Sequence, residues 1–207
     1  MPTLRCSITL ALAVLLAACA TPTPTRFYTL TTAATTRAEP ASQAQRHEPP
    51  LFIVLAPVGM PERLARPQIV VRTGAARIDI LEKDRWSAPF NSELRDALAS
   101  AVSSRLSAVD VTRSGKPAHQ AAYRIAVELH DWDAVKGEQL QADLSWTVTR
   151  SDDKRSAICR TTALEPARTA NVDSLVQASQ RLVQRLGAAI ASNVTALEAG
   201  NTASCEL

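Results

Sequence analysis

Cys19 is the residue of this 207-residue sequence whose type and setting most clearly mark a chemistry. It closes the tetrapeptide Leu16-Ala17-Ala18-Cys19, which ends an apolar stretch beginning at Ile8 and preceded by one cation, Arg5. The eleven residues from Ile8 to Ala18 rise about 16 Å as a helix, roughly half of a bilayer's ~30 Å hydrocarbon core. That is too short to span and the right length for the apolar part of a signal peptide. Small side chains before the cut let the extended segment enter a shallow peptidase pocket, and a cysteine just after it offers a thiol for diacylation. The tetrapeptide matches the bacterial lipobox. Residues 1–18 therefore read as a lipoprotein signal peptide and Cys19 as the lipidated first residue of the mature chain; the alternative is an ordinary secretory signal with an incidental cysteine.

Two or three acyl chains hold a protein on a bilayer far more firmly than one. Ala20 follows the cysteine, where enterobacterial lipoproteins kept in the inner membrane tend to carry aspartate. The expected location is the outer membrane, facing the periplasm.

Cys6 leaves with the signal, so Cys159 and Cys205 remain in a compartment where disulfides persist. A bridge across that separation stabilises by about 4 kcal/mol on the chain-entropy model. We expect it to form; two separate thiols, with Cys205 on a frayed tail, are the alternative.

Other chemistry is sparse. His130-Asp131-Trp132-Asp133 is the densest polar cluster, but neighbours on an extended segment point to opposite faces. It reads as a solvated strand end and not as a metal site. The six glycines never fall as GxG, and no nucleophile elbow or HExxH is present. With 23 basic against 20 acidic side chains, the net charge of +3 is too small to drive nucleic-acid binding. No enzyme, no metal and no cofactor beyond the lipid on Cys19 is expected.

The positioning elements follow from hydrophobic period. Residues 19–50 read as the lipidated N-terminus, a short strand at Phe27-Tyr28-Thr29-Leu30 and a flexible tether. Residues 51–198 form one α/β domain, followed by a tail at 199–207. Leu51 to Leu55 is a continuous apolar run, a central strand. Gln68 to Arg72 and Arg77 to Ile80 flank the turn Thr73-Gly74-Ala75 as a hairpin. Pro89 suits the first position of a helix whose apolar stripe is Phe90, Leu94, Ala97, Leu98, Ala101, Val102 and Leu106, with Glu93 on its polar side. Val109-Asp110-Val111 is a short strand. Tyr123 to Leu129 alternates as a strand, 131–139 is a charged connection, and Leu140 to Thr149 pairs with Ser156 to Leu164. Asn171 caps a long final helix reaching about Leu197. Its wide apolar stripe packs on its own sheet, with a partner helix as the alternative. The fold class is α/β, a mixed β-sheet flanked by at least two helices.

Several of these residues also carry a resemblance. Phe27-Tyr28-Thr29-Leu30 follows the anchor; Pro61, Leu64, Arg66-Pro67-Gln68-Ile69-Val70 and Arg72 follow a pattern P-x-x-L-D-R-P-Q-I-V-x-R; Arg85-Trp86-Ser87-Ala88-Pro89-Phe90 is like R-W-A-x-P-L; and Leu140, Ala142 and Trp146 match a later strand. The chain resembles the ABC-type transport auxiliary lipoproteins, the PqiC (YmbA) group, across essentially its whole mature length. Ala65 departs from the usual aspartate, which puts a local ion pair with Arg66 in doubt.

The resemblance implies a fold like the N-terminal domain of TolB. It implies an accessory role in an MCE-type intermembrane lipid transport system that supports envelope integrity, with a periplasmic MCE-domain protein as partner and a homo-oligomeric ring as a compatible assembly. No catalytic residue transfers. Leu64, Arg66, Arg72 and Trp86 are the candidate partner contacts, Trp and Arg being frequent at interface hot spots. Packing at a helix start is the competing role for Trp86, and pairing across the hairpin for Arg72. A lipoprotein adaptor or activator of cell-wall synthesis is the alternative function.

Overall fold

A computed structural model describes residues 24–32, 50–115 and 119–207, so Cys19, the signal segment and most of the expected tether lie outside the described residues. In chain order the elements are β1 (Arg26–Tyr28), β2 (Phe52–Leu55), β3 (Gln68–Gly74), β4 (Arg77–Trp86), α1 (Phe90–Leu106), β5 (Val109–Asp110), β6 (Ala122–Val135), β7 (Gln139–Arg150), β8 (Ser156–Pro166) and α2 (Val172–Glu198). The class is mixed α/β, but the strands divide between two sheets. One has the order β5-β2-β6-β7-β8 and the other β1-β4-β3.

In the larger sheet β6, β7 and β8 form an antiparallel meander, while β2 runs parallel to both β5 and β6. Alternation on β6 and β7 buries Ile125, Val127, Leu129, Leu140, Leu144, Trp146 and Val148 on one face and leaves Arg124, Glu128 and His130 in water. The expected charged connection at 131–139 is instead the continuation of β6 to Val135 and the start of β7 at Gln139. A β-bulge at His130 explains the difference. Pairing jumps from Leu129↔Leu144 to Asp131↔Asp143, and the buried positions move from odd to even residues, Trp132 and Ala134.

The β3–β4 hairpin likewise runs on past Ile80 to Trp86, through a bulge between the pairs Ile69↔Leu81 and Gln68↔Arg85. β1 adds to β4 in parallel, with Tyr28 opposite Trp86.

Pro89 stands at the N-cap of α1, one place before the expected position, with ψ at 137°. Asn171 caps α2, its side-chain oxygen accepting from the Ser174 N–H at 2.9 Å. The stripe of α2 is filled within the chain: one side lies on β7 and β8, the other on α1. The helices approach closely at Gly187, where an added Cβ would sit 2.6 Å from the Ala101 Cβ. Among the described residues no helix is long and apolar enough to cross a membrane.

Candidate functional site

The N-terminal strand is held to the body by two buried carboxylates. Asp84 accepts from Arg26 Nε at 2.7 Å and from the Tyr28 hydroxyl at 3.2 Å. Glu93, on α1, accepts from the Leu30 backbone N–H at 3.0 Å, from the Thr29 hydroxyl at 3.1 Å and from the Ser87 hydroxyl. Gln180 of α2 donates to the Thr29 carbonyl at 3.0 Å, and Leu30 is fully buried. Burial, with Asp173 and Asp84 adding negative charge, pushes the Tyr28 hydroxyl up to about 12. Residues 26–30 are therefore part of the body and not of a tether.

The four candidate partner contacts separate into two pairs. Leu64 and Trp86 are core residues. Burial takes Leu64 off the surface where a partner would meet it, which corrects its expected place, and gives Trp86 the packing role at the helix start that competed with an interface role. The Trp86 ring stacks on Phe90 at 5.3 Å, and Phe90 meets the edge of Trp132 at 5.0 Å. Leu64 lines the same aromatic cluster, around a void of about 10 Å³, the room of one water.

Arg66 and Arg72 are half-buried. The Arg66 carbonyl accepts from the Phe90 N–H at 3.3 Å, and the Pro67 carbonyl accepts from the Trp86 N–H at 2.6 Å. Arg72 does not pair within its hairpin alone: its Nε meets both Asp133 oxygens at 2.6 Å, on β6, while Nη1 reaches the Ala75 carbonyl at 3.2 Å. The segment from Leu64 to Arg72 is thus the place where the small sheet, α1 and the large sheet are tied together.

The polar cluster after His130 disperses. His130 Nε2 lies 2.9 Å from the Ser145 hydroxyl, Asp131 binds Arg63 at 2.5 Å, and Asp133 takes Arg72. These are pairs between elements, exposed for Arg63–Asp131 and His130–Ser145 and half-buried for Arg72–Asp133.

At the other edge, Cys159 and Cys205 are joined by a disulfide, with Cα atoms 5.3 Å apart. Asn193, fully buried, accepts from Trp146 Nε1 at 2.7 Å and donates to the Ser204 carbonyl at 2.6 Å, so the C-terminal tail is pinned along α2. β8 is the edge strand of the described sheet, with Ile158 and Leu164 exposed. Arg181 and Arg185 close its far end, both on the buried Glu165, and they cap the Pro166 and Leu164 carbonyls.

Sequence reasoning missed Glu93 and Asn193. Each sits within an apolar stripe, Glu93 beside Phe90, Leu94 and Ala97, and Asn193 beside Ile190, Val194 and Leu197. A lone polar residue inside such a stripe was the available signal, because burial demands a partner for it.

The model of the family described as ABC-type transport auxiliary lipoprotein component matches residues 28–191, from the docked first strand well into α2. The chain belongs to that family. Comparison with curated proteins returns no match. Among solved structures, the crystal structure of an uncharacterized protein superposes with a TM-score of 0.64 at 16% identity, covering 83% of this chain and 99% of that one. A Xanthomonas campestris protein described by the family model DUF330 gives 0.57 at 16% identity, covering 72% and 87%. At that identity the two structures speak for the fold. The family is one of auxiliary transport lipoproteins and not of enzymes.

Proposed function

We propose that this chain is an outer-membrane-anchored periplasmic lipoprotein, lipidated at Cys19, that serves as an accessory subunit of an MCE-type intermembrane lipid transport system and so supports envelope integrity. The observation that carries the reading is the family match over residues 28–191. It is supported by the lipobox at Leu16 to Cys19 and by an N-terminal strand held tightly to the body. An anchor fixed to a rigid body raises the effective concentration of that body for any partner standing on the same membrane. The work is binding: a periplasmic MCE-domain protein is the partner, and Arg66 and Arg72, which keep part of their side chains in water, are the candidate contacts. A ring of copies belongs to the same reading.

The test is affinity purification of the tagged, lipidated protein from its native host after mild crosslinking, with mass spectrometry of what accompanies it. Enrichment of an MCE-domain protein is expected. Enrichment of cell-wall synthesis enzymes in its place would reject the transport reading and favour the adaptor function. Cys19→Ser is expected to move the protein from the outer-membrane fraction to the soluble periplasm.

A further inference from the structure

Phe27 lies in β1 between Arg26, an exposed side chain whose guanidinium reaches back to Asp84, and the half-buried Tyr28. Arg26 and Tyr28 both reach Asp84, so by strand alternation Phe27 points away from the body, and it is 66% exposed. Its register partner on β4 is Arg85, whose side chain is 37% exposed beside Glu82, and Lys83 nearby is exposed as well. An aromatic ring standing in water next to cations is the pairing that suits a lipid headgroup region, where the ring enters the boundary and the cations meet phosphate.

Chain length directs this face to the bilayer. Pro24, the first described residue, comes five residues after Cys19, at most about 18 Å away when fully extended. A body of this size has a radius of gyration of about 15 Å, so such a leash brings the β1 end to the membrane and keeps the far side off it. Peeling of residues 26–28 is opposed by Arg26 and Tyr28 on Asp84 and by the pairing with β4, and it stops at Leu30, which is fully buried with its N–H held by Glu93.

We infer that Phe27, with Arg85 and Lys83, docks the body onto the lipid surface that holds its own anchor, fixing the orientation in which the domain is presented. The inference rests on lipidation at Cys19. The occupant is the lipid headgroup layer itself, and no protein partner is required.

The test uses the full lipidated Phe27→Trp protein in vesicles of phosphatidylethanolamine and phosphatidylglycerol whose acyl chains are brominated near the carboxyl end. Trp86, Trp132 and Trp146 are all buried, so lipid quenching reports the new ring. The expected result is a loss of emission in these vesicles and loss of quenching by aqueous iodide, relative to the soluble Cys19→Ser, Phe27→Trp protein. A protein that floats with the vesicles while its emission is unchanged and iodide still quenches it overturns the docking and leaves the anchor standing. A protein that does not float overturns both.

Discussion

Glu93 and Leu30 lie 63 positions apart in sequence, yet the Glu93 carboxylate accepts the Leu30 backbone N–H at 3.0 Å. This contact secures the segment just after β1, alongside the Asp84 contacts of Arg26 and Tyr28 and the pairing of β1 with β4. Glu93→Ala removes the acceptor and leaves a buried N–H orphaned, at a cost of about 1–3 kcal/mol. The expected outcome is faster amide exchange across Tyr28 to Thr31, with little change in β6 to β8, read by hydrogen-exchange mass spectrometry. Unchanged protection of that segment would show that Leu30 burial and the pairing with β4 hold it unaided.

How much of this was legible in the sequence depends on where the period is continuous. β7, β8, both helices and the Asn171 cap follow from unbroken alternation or helical spacing. The bulge at His130 hides the rest of β6, because one extra residue exchanges the inward and outward sets and the sequence alternation breaks there. On β4 the alternation breaks after Ile80, where the register with β3 jumps from Ile69↔Leu81 to Gln68↔Arg85 and charged residues intervene. At the candidate site the packing role of Trp86 is legible in its place before a helix, whereas the depth of Leu64 and Glu93 is not. Leu64 and Trp86 belong to a motif that looked like a recognition surface, and the structure makes it the joint between both sheets and α1. Helical spacing and charge put Glu93 on the wet side of its helix, since the buried backbone N–H that it serves comes from a segment far away in sequence.

Helix packing supplies a second prediction. The added Cβ at Gly187 would lie 2.6 Å from the Ala101 Cβ, well inside contact distance. Gly187→Ala gains about 1 kcal/mol in helix propensity but forces α1 and α2 apart, and overpacking of this kind costs about 1–3 kcal/mol. Gly187→Val, with more bulk and less propensity, is expected to lower the urea midpoint clearly. Ala101→Gly in the same chain should restore part of the loss. An additive double-mutant cycle would show that the two positions do not share the crossing.

The C-terminal tail gives a third. Peptide mapping without reductant should recover Cys159 linked to Cys205, and the Cys159→Ser, Cys205→Ser protein should lose about 4 kcal/mol by the loop-entropy model. Asn193 still holds the Ser204 carbonyl in that variant, so the tail is expected to loosen beyond Ser204 before it leaves α2. Recovery of two free thiols would remove the bridge from the account.

Alkaline pH tests the docked strand from its other side. The Tyr28 hydroxyl is raised from 10.0 to about 12, first by burial and then by the negative charge of Asp173 and Asp84. A group raised in the folded state contributes stability that is fully present below its unfolded value and is lost as pH climbs through the folded one. The contribution of Tyr28 should therefore be intact below pH 10 and disappear by about pH 12, as the phenolate forms beside Asp84 and is repelled. Tyr123 is raised as well, by burial and then by its hydrogen bond to Glu198, so the fold as a whole also weakens in alkali. The two are separable. Tyr28→Phe should flatten the loss of protection at β1 over this window while leaving the global transition in place, because Tyr123 is untouched. Hydrogen-exchange protection of residues 26–31, normalised to β7 at each pH, measures the difference. If the β1 profile keeps its shape in Tyr28→Phe, ionisation of this hydroxyl is not what releases the strand.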